Sequence, residues 1–283
     1  MNDLARKKIV LLTINGWGIS SDLKNNAIRK ANIEDFKDLV SSYPSSSINL
    51  PFVKLSDNYR SMGLGSKELK SLNNNSLSRI LESNNLNQVK IADSENFPLV
   101  SVFFNGSEDR LNNEEWCLIE QNEGIFDRFL SIDERITKKT ISCIKSNQYD
   151  FIFSNLSEIG KSVFGGNFDN TVSSVERTSS SLKKIAKTTL DSDYVLIVIG
   201  AYGSAEDSFN VNTNISNTSK NSNPVPILII SNNYRGKSIG LEEAPNNDLS
   251  LISPQGDFTD IAPTILNIMG IDIPETITGE SFV

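Results

Sequence analysis

Five short, nearly continuous apolar runs, separated by longer amphipathic stretches, constrain the fold of this chain more than any other feature of its sequence. The runs are residues 8–14 (KIVLLTI), 99–105 (LVSVFFN), 149–155 (YDFIFSN), 194–200 (YVLIVIG) and 226–231 (PILIIS). Short apolar runs without polar alternation are typical of strands that are buried on both faces of a parallel sheet. They therefore predict an α/β fold, with a mostly parallel central sheet and helices on both of its faces.

The stretches between and after these runs predict the helices and loops. Helix-like spacing of apolar residues occurs at 26–40, 133–146, 171–190 and 260–269. Residues 61–81 are polar and predict loops, with a helix that begins near Ser66. Further loops are predicted where Asn and Ser accumulate, at 73–75, 84–87 and 210–223. Since no internal repeat or linker divides the chain, we predict a single domain over residues 1–283.

The complete absence of histidine among the 283 residues excludes several classes of chemistry. Without an imidazole, the chain cannot carry out Ser-His-Asp or Cys-His catalysis, and it lacks the commonest ligand of zinc and manganese. The net charge of −8 and the lack of a dense Lys/Arg block argue against nucleic-acid binding. No apolar run is long enough for a membrane span or a secretory signal, so we expect a cytoplasmic protein without membrane contact.

Several short motifs, in order along the chain, carry a family resemblance. They are residues 15–18 (NGWG), 26–28 (NAI), 102–106 (VFFNG), 223–226 (NPVP), 260–269 (DIAPTILNIM) and 278–281 (TGES). Together they resemble the cofactor-independent phosphoglycerate mutases, which are members of the alkaline phosphatase superfamily. The resemblance implies the superfamily's three-layer α/β sandwich, with its active site at the carboxyl ends of the strands.

One part of the family pattern is missing. The family inserts a second domain, which holds the phosphoglycerate, between the nucleophile region and the FFNGG motif. Here residues 79–90 connect the two in about a dozen residues, the length of an ordinary connection. The resemblance therefore implies that the substrate-holding domain is absent.

The resemblance also implies where metal ligands should lie. The family binds two divalent cations through carboxylates and imidazoles, and these metals activate a serine that carries the phosphoryl group. The ligand positions fall on Asn15, Gly160, Phe164, Ala201, Tyr202 and Lys220. None of these residues offers a carboxylate or an imidazole. We therefore expect that the two-metal Mn/Mg site is lost and that the chain holds no cofactor.

The nucleophile motif is degenerate as well. The family reads Met-Gly-Asn-Ser-Glu, whereas residues 62–68 here read MGLGSKE. A fit without gaps places Lys67 at the nucleophile, and one inserted residue places Ser66 there. We predict that Ser66 is instead the N-cap of a helix, with Lys67 and Glu68 in its first turn. A family histidine falls on Ser71, and a family lysine falls on Asn96.

Three functions remain open. The first is a catalytically inactive relative with a binding, scaffolding or regulatory role, and with an unidentified protein partner or a second copy of itself. The second is a binder of phosphorylated metabolites, in which Lys67, Lys161 and Lys220 replace the lost cations. The third is an altered phosphomutase or phosphatase. It would use Ser66 or the acidic residues Glu158, Glu206 and Asp207.

Overall fold

The computed structural model describes residues 6–69, 76–120, 130–210 and 215–283. Within them, seven strands form the central sheet in the order β2-β9-β6-β1-β5-β3-β4. The strands are β1 (Ile9–Gly16), β2 (Ser45–Ile48), β3 (Gln88–Asp93), β4 (Glu114–Ile119), β5 (Phe151–Leu156), β6 (Val195–Gly203) and β9 (Val225–Ile230). Only β9 runs against its two neighbours, so the sheet is mostly parallel, as predicted. The short strands β7 (Phe209–Asn210) and β8 (Ile215–Ser216) pair separately.

Eight α-helices of the described residues flank this sheet. They are α1 (Ala27–Lys30), α2 (Glu34–Ser42), α3 (Leu55–Leu64), α4 (Leu77–Ser83), α5 (Ile132–Ser146), α6 (Glu158–Phe164), α7 (Phe168–Asp191) and α8 (Ile261–Met269). The helix α8 ends at Gly270, whose left-handed conformation (φ 66°) makes it the expected stop. No helix in the four described ranges is long and apolar enough to cross a membrane.

The side chains of β1 point alternately to the two faces of the sheet, and each face packs against a separate hydrophobic core. Val10, Leu12 and Ile14 pack on one face, against a core that includes residues of α1, α2, α5, α6 and α7. Ile9 and Leu11 pack on the other face, against a core that includes residues of α3, α4 and α8. Successive side chains of a strand point to opposite faces, so one fully apolar strand can serve both cores. The three-layer α/β prediction is therefore confirmed.

The predicted strand at 99–105 is wrong. Its first five residues, Leu99–Phe103, form a π-helix that follows a turn of helix at Phe97 and Pro98. A short buried apolar run does not by itself distinguish a strand from a helix, and here the helix is formed. The strand β3, just before this segment, was not predicted, because the polar residues Gln88 and Lys90 interrupt its apolar sequence although both are buried.

Other element predictions need smaller corrections. The helix predicted over 26–40 is two helices, α1 and α2. The polar stretch 61–81 contains the end of α3 and the start of α4, while the predicted loop at 73–75 lies outside the described residues. The strands β2 and β4 were not predicted, since their sequences, SSSI and EEWCLI, are largely polar at one end. Four residues, 84–87, connect α4 to β3.

Candidate active site, at the carboxyl ends of β1, β5 and β6

The register of three neighbouring strands brings polar side chains together where the strands end. Thr13 of β1 lies opposite Asn155 of β5, and Asn15 lies opposite Tyr202 of β6. A register shift in β1 falls between Ile14 and Asn15, next to the loop that leaves the strand. This is the edge at which ligands of parallel α/β sheets bind.

Three amide side chains meet at this edge, from Asn15 of β1, Asn155 of β5 and Asn96 after β3. The Nδ2 of Asn155 donates to Oδ1 of Asn15 at 2.9 Å, and Nδ2 of Asn15 donates to Oδ1 of Asn96 at 2.8 Å. Asn155 also lies within hydrogen-bond distance of Thr13 Oγ1 and of the hydroxyl of Tyr59 in α3. Asn15 is thus a neutral residue whose two amide atoms are both engaged with neighbouring side chains. This arrangement stabilises the strand end, and it supplies no anion for a cation.

Tyr202 fills the space above Gly160. The tyrosine is 4% exposed. A Cβ atom at Gly160 would lie 2.3 Å from the Tyr202 hydroxyl oxygen, so the ring fits only because residue 160 has no side chain. Burial raises the pKa of Tyr202 above its usual range, and the charge of Asp93 adds to the shift. The phenol is therefore neutral at physiological pH.

Lys220 lies above Tyr202. Its ammonium nitrogen is 4.6 Å from the centroid of the Tyr202 ring and 5.8 Å from that of Phe164. Such distances permit cation–π attraction. Phe164 is 48% exposed, and Lys220 is exposed as well. Desolvation of the ammonium lowers the pKa of Lys220 from its ordinary value. The last predicted ligand position, Ala201, is fully buried and has no polar side-chain atom.

A group of carboxylates lies beside this cluster, but each is already engaged. Asp93 accepts hydrogen bonds from the Ser157 hydroxyl at 2.5 Å and from Asn96 at 3.0 Å. The ammonium of Lys161 lies 3.6 Å from Asp93 and 3.4 Å from Glu95. Lys161 is therefore paired with carboxylates and is not free to hold an anionic ligand.

Asp133 is the second buried carboxylate of this group. It accepts hydrogen bonds from the backbone N–H groups of Ser157 and Glu158, at 2.8 and 3.1 Å. Burial, together with the charge of Glu158, raises the pKa of Asp133 to about 7. Asp133 thus fixes the start of α6, the helix that carries Gly160 and Phe164.

Glu206 proves to be a structural anchor. Its carboxylate accepts from the backbone N–H groups of Gly18 and Ser204, at 3.1 and 2.8 Å. It also accepts from Nδ2 of Asn221 and of Asn223, at 2.6 and 2.9 Å. Four donors saturate the carboxylate and join the NGWG, β6 and NPVP segments. The carboxylate is thereby committed to holding loops, and a catalytic role for it is not supported.

Ser66 and Lys67 lie elsewhere. The helix α3 ends at Leu64 and Gly65 follows in the left-handed conformation, so the predicted helix start at Ser66 is wrong. The Ser66 hydroxyl accepts from the backbone N–H of Glu68 at 3.1 Å and from the Thr278 hydroxyl at 3.3 Å. Lys67 forms an ion pair with Asp257 at 2.7 Å. Both residues line a separate cavity with Asp257 and Thr278, and Ser71 lies outside the described residues.

The structure therefore brings together five of the predicted positions, those of Asn15, Gly160, Phe164, Tyr202 and Lys220, and separates them from Ser66 and Lys67. Sequence reasoning missed Tyr59 and Asn155. The available signal for Asn155 was a polar residue at the end of an otherwise apolar run. The hydroxyl of Tyr59 donates to Thr13 Oγ1 at 3.0 Å, but nothing local in the sequence indicates that contact.

These residues do not fit a two-metal centre. Within the ranges that the structure describes, no group of three or more His, Cys, Asp or Glu side chains is arranged to hold a metal ion. The amide, phenol and ammonium groups at the strand ends include no anion at physiological pH. An ammonium above the site also repels a divalent cation.

Comparisons with known sequences agree with the motif resemblance. A family model described as the Metalloenzyme superfamily matches residues 7–273. The 2,3-bisphosphoglycerate-independent phosphoglycerate mutase of Ehrlichia canis (strain Jake) is 31% identical over 213 residues, which are 74% of this chain and 39% of that protein. The enzyme of the same name from Clostridium perfringens (strain SM101 / Type A) is 29% identical over 208 residues, covering 72% and 38%. The chain thus spans 38–39% of the length of these two relatives.

Solved structures share the fold. The lipoteichoic acid synthase of Listeria monocytogenes aligns with a TM-score of 0.61 at 14% identity, covering 98% of this chain and 75% of that one. The alkaline phosphatase of the Antarctic bacterium TAB5 aligns at 0.59 with 10% identity, covering 95% and 100%. The phosphoglycerate mutase of Leishmania mexicana aligns at 0.56 with 21% identity, covering 71% and 38%. By sequence and fold, the chain belongs to the Metalloenzyme superfamily, as an alkaline-phosphatase-like domain related to the cofactor-independent phosphoglycerate mutases.

Proposed function

We propose that this chain is a catalytically inactive, cytoplasmic relative of cofactor-independent phosphoglycerate mutase, with a binding, scaffolding or regulatory role. The observation that carries the proposal is the arrangement of Lys220, Tyr202 and Gly160. An ammonium stacked on a buried phenol, over a glycine, takes the place where the resemblance puts metal ligands.

The physical argument concerns charge. Phosphoryl transfer depends mainly on positioning and on neutralising the charge of the transferring group, which metal ions do in this family. The amides, the phenol and the ammonium at these positions are not anionic, and the neighbouring Asp93 is already engaged with Ser157, Asn96 and Lys161. The site therefore lacks free carboxylates to offset the desolvation of two divalent cations. The short connection at residues 84–87 also supports an inactive protein, because the family's substrate-holding domain would lie between α4 and β3.

Metal retention and turnover test the proposal together. The purified chain is dialysed against MnCl₂, freed of unbound metal, and examined by elemental analysis and by a phosphoglycerate mutase assay. The Clostridium perfringens relative serves as a positive control. We expect no stoichiometric metal and no turnover above the buffer rate. Retention of about one or more ions per chain, or phosphoglycerate isomerisation that follows the chain through purification, contradicts the proposal.

The two alternative functions have less support. Lys67 and Lys161 are paired with carboxylates, which leaves Lys220 as the one former-site lysine without such a partner among the described residues. An altered enzyme would need Ser66 near an activating group. Its hydroxyl instead contacts Thr278 and the backbone of Glu68, away from the strand ends.

A binding role fits the loops at this edge of the sheet. Leu23, Val53 and Phe164 are exposed large apolar side chains that lie in or next to loops following β1, β2 and β5. Exposed apolar side chains that recur along one edge are typical of a contact surface. We infer that a protein partner or a second copy of this chain meets the domain there, while the net charge of −8 disfavours nucleic acid.

A further inference from the structure

A cavity of about 640 Å³ lies beside the loop that follows β1, apart from the Tyr202–Lys220 cluster. It is bounded by that loop, by α1 and α2, and by residues 246–251. Pockets that bind small molecules have volumes of about 300–1,000 Å³, mostly apolar walls and a few placed polar groups. This cavity has all three properties, as the following contacts show.

The walls are aromatic and aliphatic. Trp17 and Phe36, both buried, line the cavity, and their ring centroids are 4.5 Å apart. The rim carries Leu23 and Leu251, which are 70% and 57% exposed. Exposed leucines and buried aromatic rings therefore line the same cavity and offer apolar surface to a ligand.

Arg29 supplies the polar group. It lines the cavity, and its Nη2 donates to both carboxylate oxygens of Asp248 at 2.8 and 2.7 Å and to Ser250 Oγ at 2.8 Å. Since Nη2 makes all three contacts, Nε and Nη1 have no hydrogen-bond partner among the described residues. Asp248 offsets the charge of Arg29, as Asp93 and Glu95 do for Lys161. A guanidinium differs from an ammonium in having five N–H donors on three nitrogens, so Nε and Nη1 of Arg29 can still donate to an anionic group.

We propose that this cavity binds a small amphipathic anion, with an aromatic or aliphatic body on Trp17 and Phe36 and one acidic group on Arg29. The contact with Arg29 is a charge-assisted hydrogen bond, which is stronger than one between neutral groups. The site shares no side chain with the Tyr202–Lys220 cluster. The proposed anion site therefore does not depend on the proposed loss of metal binding, and each can be tested separately.

The test uses 8-anilinonaphthalene-1-sulfonate as the probe and decanoate as its competitor. We expect saturable binding of one probe per chain, displaced by decanoate and much less by decanol. Arg29→Met should weaken probe binding about tenfold, the value of one charge-assisted contact. The matched control is Lys30→Met, which removes the same charge from the next, exposed residue and should leave binding unchanged.

Two further variants locate the probe. Ala31→Leu extends a wall side chain into the cavity and should reduce affinity, with circular dichroism to verify folding. In Trp116→Phe, Trp17 is the only tryptophan left, and its emission should change on saturation. The proposal is overturned by any one of three results: no saturable binding, equal weakening by Arg29→Met and Lys30→Met, or bound probe that leaves Trp17 emission unaltered.

Discussion

At the scale of single residues, the ammonium of Lys220 lies within cation–π distance of the rings of Tyr202 and Phe164, and we expect this contact to stabilise the fold. Lys220→Met keeps an apolar side chain of similar reach but removes the charge, so we expect the free energy of unfolding to fall by about 0.5–1 kcal/mol. Urea denaturation measures the change.

The matched control for this prediction is Lys220→Arg, which keeps a cation over the rings and should remain close to the parent protein. Equal stability of the methionine variant and the parent would show that the ammonium makes no useful contact. In that case the lysine would only be a solvated side chain near two rings.

At the scale of elements, a buried lysine joins three segments that sequence reasoning could not connect. The Lys90 ammonium lies 2.9 Å from both Ser78 Oγ and Asn105 Oδ1, and 3.7 Å from the Glu114 carboxylate. It also lies 4.3 Å from the ring centroid of Phe104. Burial lowers the pKa of Lys90 to about 8, while the charge of Glu114 counteracts that shift. The strands β3 and β4, the helix α4 and the end of the π-helix are thereby held together.

Removing one partner of this pair should be costly. Lys90→Met leaves the buried Glu114 without its countercharge, and we expect the free energy of unfolding to fall by about 3–5 kcal/mol. The double variant Lys90→Met/Glu114→Gln removes both charges and should recover most of that loss. Lys187→Met breaks the exposed pair with Asp191 and should change stability by less than about 0.5 kcal/mol. The coupling between Lys90 and Glu114 would be refuted if the losses of unfolding free energy in Lys90→Met and Glu114→Gln simply added up to the loss in the double variant.

The same region shows why element prediction succeeded in part. The runs that became β1, β5, β6 and β9 are mostly apolar, and their burial on both faces followed from that pattern. The strand β3 was not predicted because Gln88 and Lys90 are buried polar residues whose partners come from other segments. Tertiary contacts determine the conformation of β3, and these contacts cannot be read from a single sequence.

At the scale of the whole molecule, metal binding and folding should be uncoupled. A ligand that binds only the native state at one thousand times its dissociation constant stabilises it by about 4 kcal/mol. Since the described site has no anionic ligand cluster, we expect the melting temperature to be the same in excess EDTA and in millimolar MnCl₂. Differential scanning calorimetry measures it. A rise of several degrees with manganese, absent with an equal ionic strength of NaCl, would be incompatible with this expectation.

The candidate site was predictable where its residues belong to recognisable strand ends. Asn15 and Tyr202 lie at the carboxyl ends of β1 and β6, and Gly160 follows β5, so a parallel sheet brings them to one edge whatever their chemistry. The helix start predicted at Ser66 was wrong because α3 already includes Met62, Gly63 and Leu64, so Ser66 lies just after the carboxyl end of a helix and not at the start of one. Helix boundaries set by a left-handed glycine such as Gly65 are hard to separate from the glycines of a loop.

The close fit of Tyr202 over Gly160 limits which side chains position 160 can hold. In Gly160→Asp the new Cβ would lie 2.3 Å from the phenol oxygen, so a carboxylate enters this part of α6 only if the Tyr202 ring moves. Replacing Tyr202 as well makes room but leaves a void beneath Lys220. A carboxylate at this position therefore requires at least two coupled substitutions, and each of them alone has a cost in stability.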